Sequence, residues 1–326
     1  QTHMAKTLLK PDYSIYEDRR FLKKMGGKVV RTVAMELSRG CPYTCTFCCV
    51  PMQQHQHRTA RDLYAKFKDI NDKTIKQEDP YHREKPIRTF VDEVKEAIKK
   101  YKIDFIYFTD ESFLSMRKDR FEEFIEAYGK IKLPFFIESR VETVKPGYAE
   151  ALEKVNCAGI AMGVESGNLA LRKSLLSRMM PNETIINGFK EFEKTEIRIS
   201  SNNIIGFPGE TRELAFDTIE INRQFKSESC SASILIPFSG TEIRQLAESQ
   251  SLIKPDTICS ISNSGAEGIL DMPQWSKKEV GKLRKTFAMY VKFPKNRWPE
   301  IKKAEDDSKL HSKLSAEFID TFWSEP

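Results

Sequence analysis

The chain has 326 residues, 40% of them hydrophobic and 31% charged, with a formal net charge of +6. That is enough apolar material for one large globular domain with a small appendage. No apolar run reaches the ~20 residues that a membrane span needs. Basic and acidic residues are interleaved nearly everywhere, so the clustering of a nucleic-acid footprint is absent.

Gln1-Thr2-His3-Met4 reads as an expression scar or a fragment edge, and residues 1–28 as a lead-in. Gly26-Gly27-Lys28 lacks the spacing of a phosphate loop and reads as a turn. Residues 31–37 form the first expected strand, which ends in a cysteine-rich loop. Residues 50–86 are polar and irregular, and His55, His57 and His82 there read as solvated loop histidines. Phe90, Val91, Val94 and Ile98 share one helical face and predict a helix over 89–100. Residues 105–109 are a continuous apolar run, the pattern of a strand buried on both faces of a parallel sheet. A helix over 119–128, a strand over 135–140, a helix over 148–155 and strands over 159–165, 198–205 and 234–238 follow.

Six strands alternating with helices imply a parallel sheet with right-handed crossovers. Six units are too few for an eight-unit barrel, so the expected fold is α/β, a partial (β/α)6 TIM-like barrel over 29–245. Such folds place chemistry at the C-terminal strand ends. Residues 246–326 read as a small helical C-terminal region. Within it Ser276-Lys277-Lys278-Glu279 is a capping box that opens a helix carrying Val280, Leu283, Phe287, Tyr290 and Val291. A last helix is expected over 308–323.

The first strand delivers Ser38-Arg39-Gly40-Cys41-Pro42-Tyr43-Thr44-Cys45-Thr46-Phe47-Cys48. Cys41, Cys45 and Cys48 stand at C-x-x-x-C-x-x-C spacing. Three thiolates hold a metal centre but leave one position of a four-iron cluster open, which suits catalysis. The seven cysteines are odd in number and otherwise scattered, and no signal peptide precedes them, which argues against a secreted disulfide framework and for reduced thiols in the cytoplasm. A structural zinc site is the other reading, with Cys49, His55 or His57 as fourth ligand. Zinc knots usually pair two short Cys/His units, however, and no second unit is present.

Four further turns sit at strand ends. Thr109-Asp110-Glu111-Ser112 ends the second strand and Gly163-Val164-Glu165-Ser166-Gly167 the fourth. Ile205-Gly206-Phe207-Pro208-Gly209-Glu210-Thr211 ends the fifth, where Thr211 can cap the next helix. Pro237-Phe238-Ser239-Gly240-Thr241 follows the sixth. Each turn alone also suits a plain strand-to-helix connection.

The cysteine loop resembles that of the radical S-adenosylmethionine (SAM) superfamily, C-x-x-x-C-x-aromatic-C, with Phe47 at the aromatic position. The four turns follow in that family's order, and the resemblance covers about residues 30–245. The run from Met162 through Leu171-Arg172-Lys173 resembles the group that contains methylthiotransferases and cobalamin-dependent enzymes. Pro11-Asp12-Tyr13-Ser14 and the tail from Phe287 to Trp298 resemble flanks of members that carry a cobalamin domain. That domain's D-x-H-x-x-G pattern is absent from this sequence.

The resemblance implies a 4Fe–4S cluster on Cys41, Cys45 and Cys48 whose open iron takes the amino and carboxylate groups of SAM. SAM is then cleaved reductively to a 5′-deoxyadenosyl radical, for C-methylation or a related modification of an unreactive carbon. It places Asp110 and Glu111 at the methionyl amino group, Glu165, Ser166 and Gly167 at the ribose, and Gly206, Phe207, Pro208 and Gly209 against the adenine. The last segment departs from the G-x-I-x-G-x-x-E form of some members. The implied partners are a flavodoxin- or ferredoxin-type electron donor, a small-molecule or peptide substrate, and cobalamin bound by a domain not present here. The alternatives are a tRNA-modifying methylthiotransferase-like enzyme and a non-catalytic zinc- or cluster-binding scaffold.

Overall fold

The computed structural model describes residues 11–56, 81–260 and 267–323. The expected scar at residues 1–4, and His57, lie outside them. The chain divides into two compact units: Gln1–Tyr43, Gln53–Ala161 and Glu191–Arg198 form the first, and Thr44–Met52, Met162–Lys190 and Ile199–Pro326 the second.

The first unit opens with a hairpin of β1 (Leu22–Met25) and β2 (Lys28–Met35), with Met25 opposite Lys28. Gly26 and Gly27 join them at φ of +53° and +77°, the positive-φ pair that a tight hairpin turn requires. This is the turn expected at that glycine pair. The C-terminal half of β2 pairs in parallel with β5 (Phe105–Phe108), and β5 in parallel with β6 (Phe135–Arg140). Between them run α2 (Ile87–Tyr101) and α3 (Lys118–Tyr128). Ile106 and Phe108 are fully buried, as the continuous apolar run implied, and the Phe108 ring meets Phe90 of α2 and Phe124 of α3 at 5.3 and 6.0 Å. That aromatic layer fixes the helices on one face of the strands. Helix α4 (Tyr148–Lys154) follows, and Tyr148 stacks on Phe121 at 3.9 Å.

Residues 50–86, expected to be irregular, carry structure at both ends. Residues 49–56 are helical (α1), and β4 (Arg83–Glu84) pairs antiparallel with β3 (Ser38–Arg39). Residues 57–80 lie outside the described part. The β3–β4 pairing was not legible because its partners stand more than 40 positions apart and each strand is only two residues long.

β7 (Cys157–Glu165) and β8 (Arg198–Ile205) each begin in residues of the first unit and end in the second. The second unit adds α5 (Leu169–Leu175), α6 (Asn182–Phe192), α7 (Arg212–Asn222) and β9 (Ser229–Ile234), which pairs with β8 in parallel. Then come α8 (Glu242–Ser249), α9 (Lys277–Lys292), α10 (Trp298–Ala304) and α11 (Ser308–Phe322). The Ser276–Glu279 capping box is formed as read from sequence.

The last strand departs from its expected place, lying at Ser229–Ile234 and not at 234–238. Cys230, Ala232 and Ile234 face inward and join a core with Val280, Leu283 and Phe287 of α9, so small residues suffice where a helix fills the space. The apolar run 234–238 is the strand's exit, where Pro237 has no N–H to give a ladder.

The sheet order is β1-β2-β5-β6-β7-β8-β9. The class is α/β, strands alternating with helices as a partial (β/α)6 arrangement requires. No helix among the described residues is long and apolar enough to cross a membrane.

Candidate active site

The first unit carries the approach to the cysteine loop and the end of β5. Gly40 precedes Cys41 at φ +88°, and a Cβ there would stand 2.7 Å from the Tyr81 carbonyl oxygen, so only glycine fits. Cys41 is buried, and its carbonyl accepts from Gln54 Nε2. Arg140 lies 3.8 Å over the ring of Tyr43. Asp110, 2% exposed, accepts from Leu37 N, Ser38 N and Ser38 Oγ. Burial outweighs those three bonds and raises its pKa to about 6. Glu111 Oε2 accepts from Gly40 N at 2.9 Å.

The second unit carries the rest of the loop and the turns after β7, β8 and β9. Cys45 is buried and Cys48 half-buried, with Cys48 N donating to Cys45 O at 3.1 Å and Val50 N to Cys48 Sγ at 3.5 Å. Thr46 Oγ1 donates to Leu175 O at 2.6 Å and Thr46 O accepts from Ile243 N at 3.1 Å, which ties the loop to the end of α5 and the start of α8. The Phe47 ring meets Phe207 edge-on at 6.3 Å, bringing together two residues singled out from sequence.

Glu165 ends β7 at φ +65°, and Ser166 N donates to Val164 O at 3.0 Å. An i to i+2 bond around a positive-φ residue is a γ-turn, a rare and strained geometry for a side chain with a Cβ. Glu165 lies 3.5 Å from Arg178 Nη1, and Arg178 Nη2 donates to Gly163 O at 2.7 Å. A Cβ on Gly163 would overlap the Glu165 carboxylate, so the glycine makes room for it. Ser166 is fully buried and its carbonyl accepts from buried Arg172 at 2.7 Å. Gly167 N donates to Thr218 Oγ1 at 2.8 Å, pressed against α7.

Gly206 and Gly209 bend the turn after β8 at φ +86° and +75°. Glu210 closes it, with Oε2 accepting from Gly206 N and Phe207 N at 2.6 and 3.1 Å. Thr211 caps α7 as expected, accepting from Leu214 N. Arg178 and Glu210 are the residues that sequence reasoning did not single out. Glu210 was visible inside the quoted turn; Arg178 had no signal, since its link to the turn after β7 depends on how the segment between α5 and α6 folds back.

Glu210 is fully buried, and burial raises its pKa from 4.5 to about 8 against the pull of the two N–H groups. A folded-state pKa above the unfolded value means that the native chain holds the extra proton. The stability this confers is complete below about 4.5 and is lost as pH rises through about 8. Glu210→Gln, which never ionises, is therefore expected to match the wild type in thermal unfolding at pH 4 and to exceed it at pH 9. Equal pH dependence for the two proteins would count against a neutral Glu210.

No disulfide is formed among the described residues, which include all seven cysteines. No group of three or more His, Cys, Asp or Glu side chains there is gathered closely enough for a single metal ion, as structural zinc requires. Three thiols from one loop suit a cluster, whose ligands bond to different irons.

A family model for the radical SAM superfamily matches residues 35–220. The fold is similar to that of the radical SAM methyltransferase TsrM from Kitasatospora setae, solved with cobalamin and a 4Fe–4S cluster, at TM-score 0.53 and 14% identity over 69% of this chain and 41% of that one. It is also similar to the cobalamin-dependent SAM radical enzyme OxsB, solved with aqua-cobalamin and SAM, at TM-score 0.51 and 16% identity over 87% and 45%. An uncharacterized methyltransferase of Pyrococcus horikoshii is 23% identical over 261 residues, 79% of this chain and 51% of that protein. The chain thus spans about half the length of these relatives. With a family match across more than half its residues, and with the cysteine loop and the turns after β5, β7 and β8 inside that match, the chain belongs to the radical SAM superfamily.

Proposed function

We propose that the chain is a radical SAM enzyme that methylates an unreactive carbon of a small-molecule or peptide substrate. The observation that carries this is the set of three thiols at C-x-x-x-C-x-x-C spacing, followed in order by turns at the ends of β5, β7 and β8. Cys41, Cys45 and Cys48 hold a 4Fe–4S cluster, and SAM binds beside it. Together they supply one-electron chemistry that cleaves the 5′-carbon–sulfur bond of SAM.

The chain's own residues bind and orient. Phe47, packed on Phe207, gives the loop an apolar neighbour beside Cys48. The backbone carbonyls of Thr109-Asp110-Glu111 receive the amino group of SAM. Glu165 offers its carboxylate to the ribose hydroxyls at the γ-turn, Ser166 and Gly167 shape the backbone there, and Arg178 holds the Glu165 carboxylate in place. The bend Gly206-Phe207-Pro208-Gly209 lies against the adenine. A flavodoxin- or ferredoxin-type protein supplies the electron, and the cytoplasm suits reduced thiols. The methyltransferase relatives favour methylation over methylthiolation, and the cobalamin-containing ones support cobalamin as methyl carrier, bound by a domain outside this sequence or on a partner.

The reduced, cluster-loaded protein incubated with SAM is expected to release 5′-deoxyadenosine, slowly even without substrate. Glu165→Ala should weaken SAM binding by about 1–3 kcal/mol, the scale for losing a hydrogen bond to a polar or charged ligand group. Absence of 5′-deoxyadenosine from loaded wild type would refute the enzyme reading. Unchanged SAM affinity in Glu165→Ala would refute only the ribose assignment.

A further inference from the structure

Asp110 and Glu111 stand side by side after β5, where a charge for SAM's ammonium is expected, yet the structure shows them otherwise engaged. Leu37 N donates to Asp110 Oδ2 at 3.0 Å, and Ser38 N and Ser38 Oγ both donate to Oδ1 at 2.6 Å. Gly40 N donates to Glu111 Oε2 at 2.9 Å. The two acids thus take the backbone N–H groups of positions 37, 38 and 40, the run that leads into Cys41. The rest of that run is fixed as well: Leu37 O accepts from Lys85 N at 2.9 Å, Arg39 pairs with Arg83, and Gly40 is wedged against Tyr81. Asp110 is 2% exposed and both its oxygens are occupied, so little of it remains for a ligand.

Burying a carboxyl is expensive unless its hydrogen bonds fix something worth fixing. Groups that orient a metal ligand from behind typically change metal affinity 10–100-fold when removed.

We propose that Asp110 and Glu111 are positioning residues that lock the path of residues 37–40 and so set how Cys41 is presented. The proposal rests on the cluster reading of Cys41, Cys45 and Cys48.

Iron retention and SAM affinity, read separately on the anaerobically loaded chain, test it. Asp110→Asn can accept through one oxygen only and turns an NH2 toward its donors. It is expected to release iron to a chelator about tenfold faster than wild type and to alter the electron paramagnetic resonance signal of the reduced cluster. The SAM dissociation constant of its loaded fraction should stay within about twofold of wild type, a difference too small for a lost charged contact. Glu111→Gln keeps an acceptor for Gly40 N and should retain both iron and SAM, whereas Glu111→Ala should lose iron faster. Should Asp110→Asn fail to fold, Ser38→Ala removes one bond to the same carboxylate and should speed iron release by a smaller factor. Unchanged iron release in Asp110→Asn or Ser38→Ala would overturn the proposal, as would a tenfold loss of SAM affinity in Glu111→Gln with iron retained. A wild-type chain that takes up no iron would overturn the cluster reading itself.

Discussion

Cys45→Ala is expected to abolish iron binding. Anaerobic reconstitution of the wild type with iron and sulfide should give about four irons per chain and a broad absorption band near ~400 nm. The variant should give neither. The reason is stoichiometric: the loop offers three thiols, one position of a four-iron cluster is already without a protein ligand, and losing a second protein ligand leaves two thiolates for four irons. Cys49→Ala is the control. Cys49 directly follows Cys48, so its side chain points elsewhere, and it opens α1 as a half-buried thiol. Its loss should leave iron uptake unchanged. Iron retained by Cys45→Ala would refute the ligand assignment, and stoichiometric zinc without iron in the wild type would refute the cluster.

Gly167→Ala should be the most destabilising of the glycine substitutions at the strand ends. A Cβ there would overlap the Asp217 carbonyl oxygen and crowd the peptide between Asp217 and Thr218 on α7. Those atoms are helix backbone and cannot rotate away as a side-chain tip can. Relief requires the turn after β7 to move off α7, which breaks the bond from Gly167 N to Thr218 Oγ1 and disturbs the Asn168 cap of α5. Overpacking of this kind costs about 1–3 kcal/mol, or a fall in thermal midpoint of roughly 2–4 °C for a chain of this size. Gly147→Ala is the comparison. Gly147 has φ +83° but nothing within 4 Å of its missing Cβ, so only backbone strain of about 1 kcal/mol applies. Differential scanning calorimetry of the two unloaded variants decides the matter, and equal losses would mean that α7 yields.

Much of the architecture is written in local pattern. The run 105–109 announces a buried strand because parallel strands covered on both faces need no polar alternation. The α2 stripe of Phe90, Val91 and Val94 and the Ser276–Glu279 box each depend on residues within a turn or two of one another. The glycine pair before Lys28 predicts its turn for the same reason. The thiol spacing belongs here too, since three thiols on one short loop are brought together by the chain's own connectivity.

What failed to show in the sequence involves partners far along the chain. Asp110 reads as a free acid at a strand end until Leu37 and Ser38, more than 70 positions earlier, are seen to donate to it. β9 is small and polar and looks like a loop until α9 covers it. Arg178 acquires meaning only beside Glu165, and the strain at Glu165 exists only once Ser166 turns back to Val164. Spacing and periodicity determined the class of fold and the cysteine loop, because both are short-range properties of the chain. Which acids accept from that loop's backbone, which carboxyl is fully buried, and where the last strand lies were decided by tertiary packing, because desolvation and long-range hydrogen bonds exist only after distant segments meet.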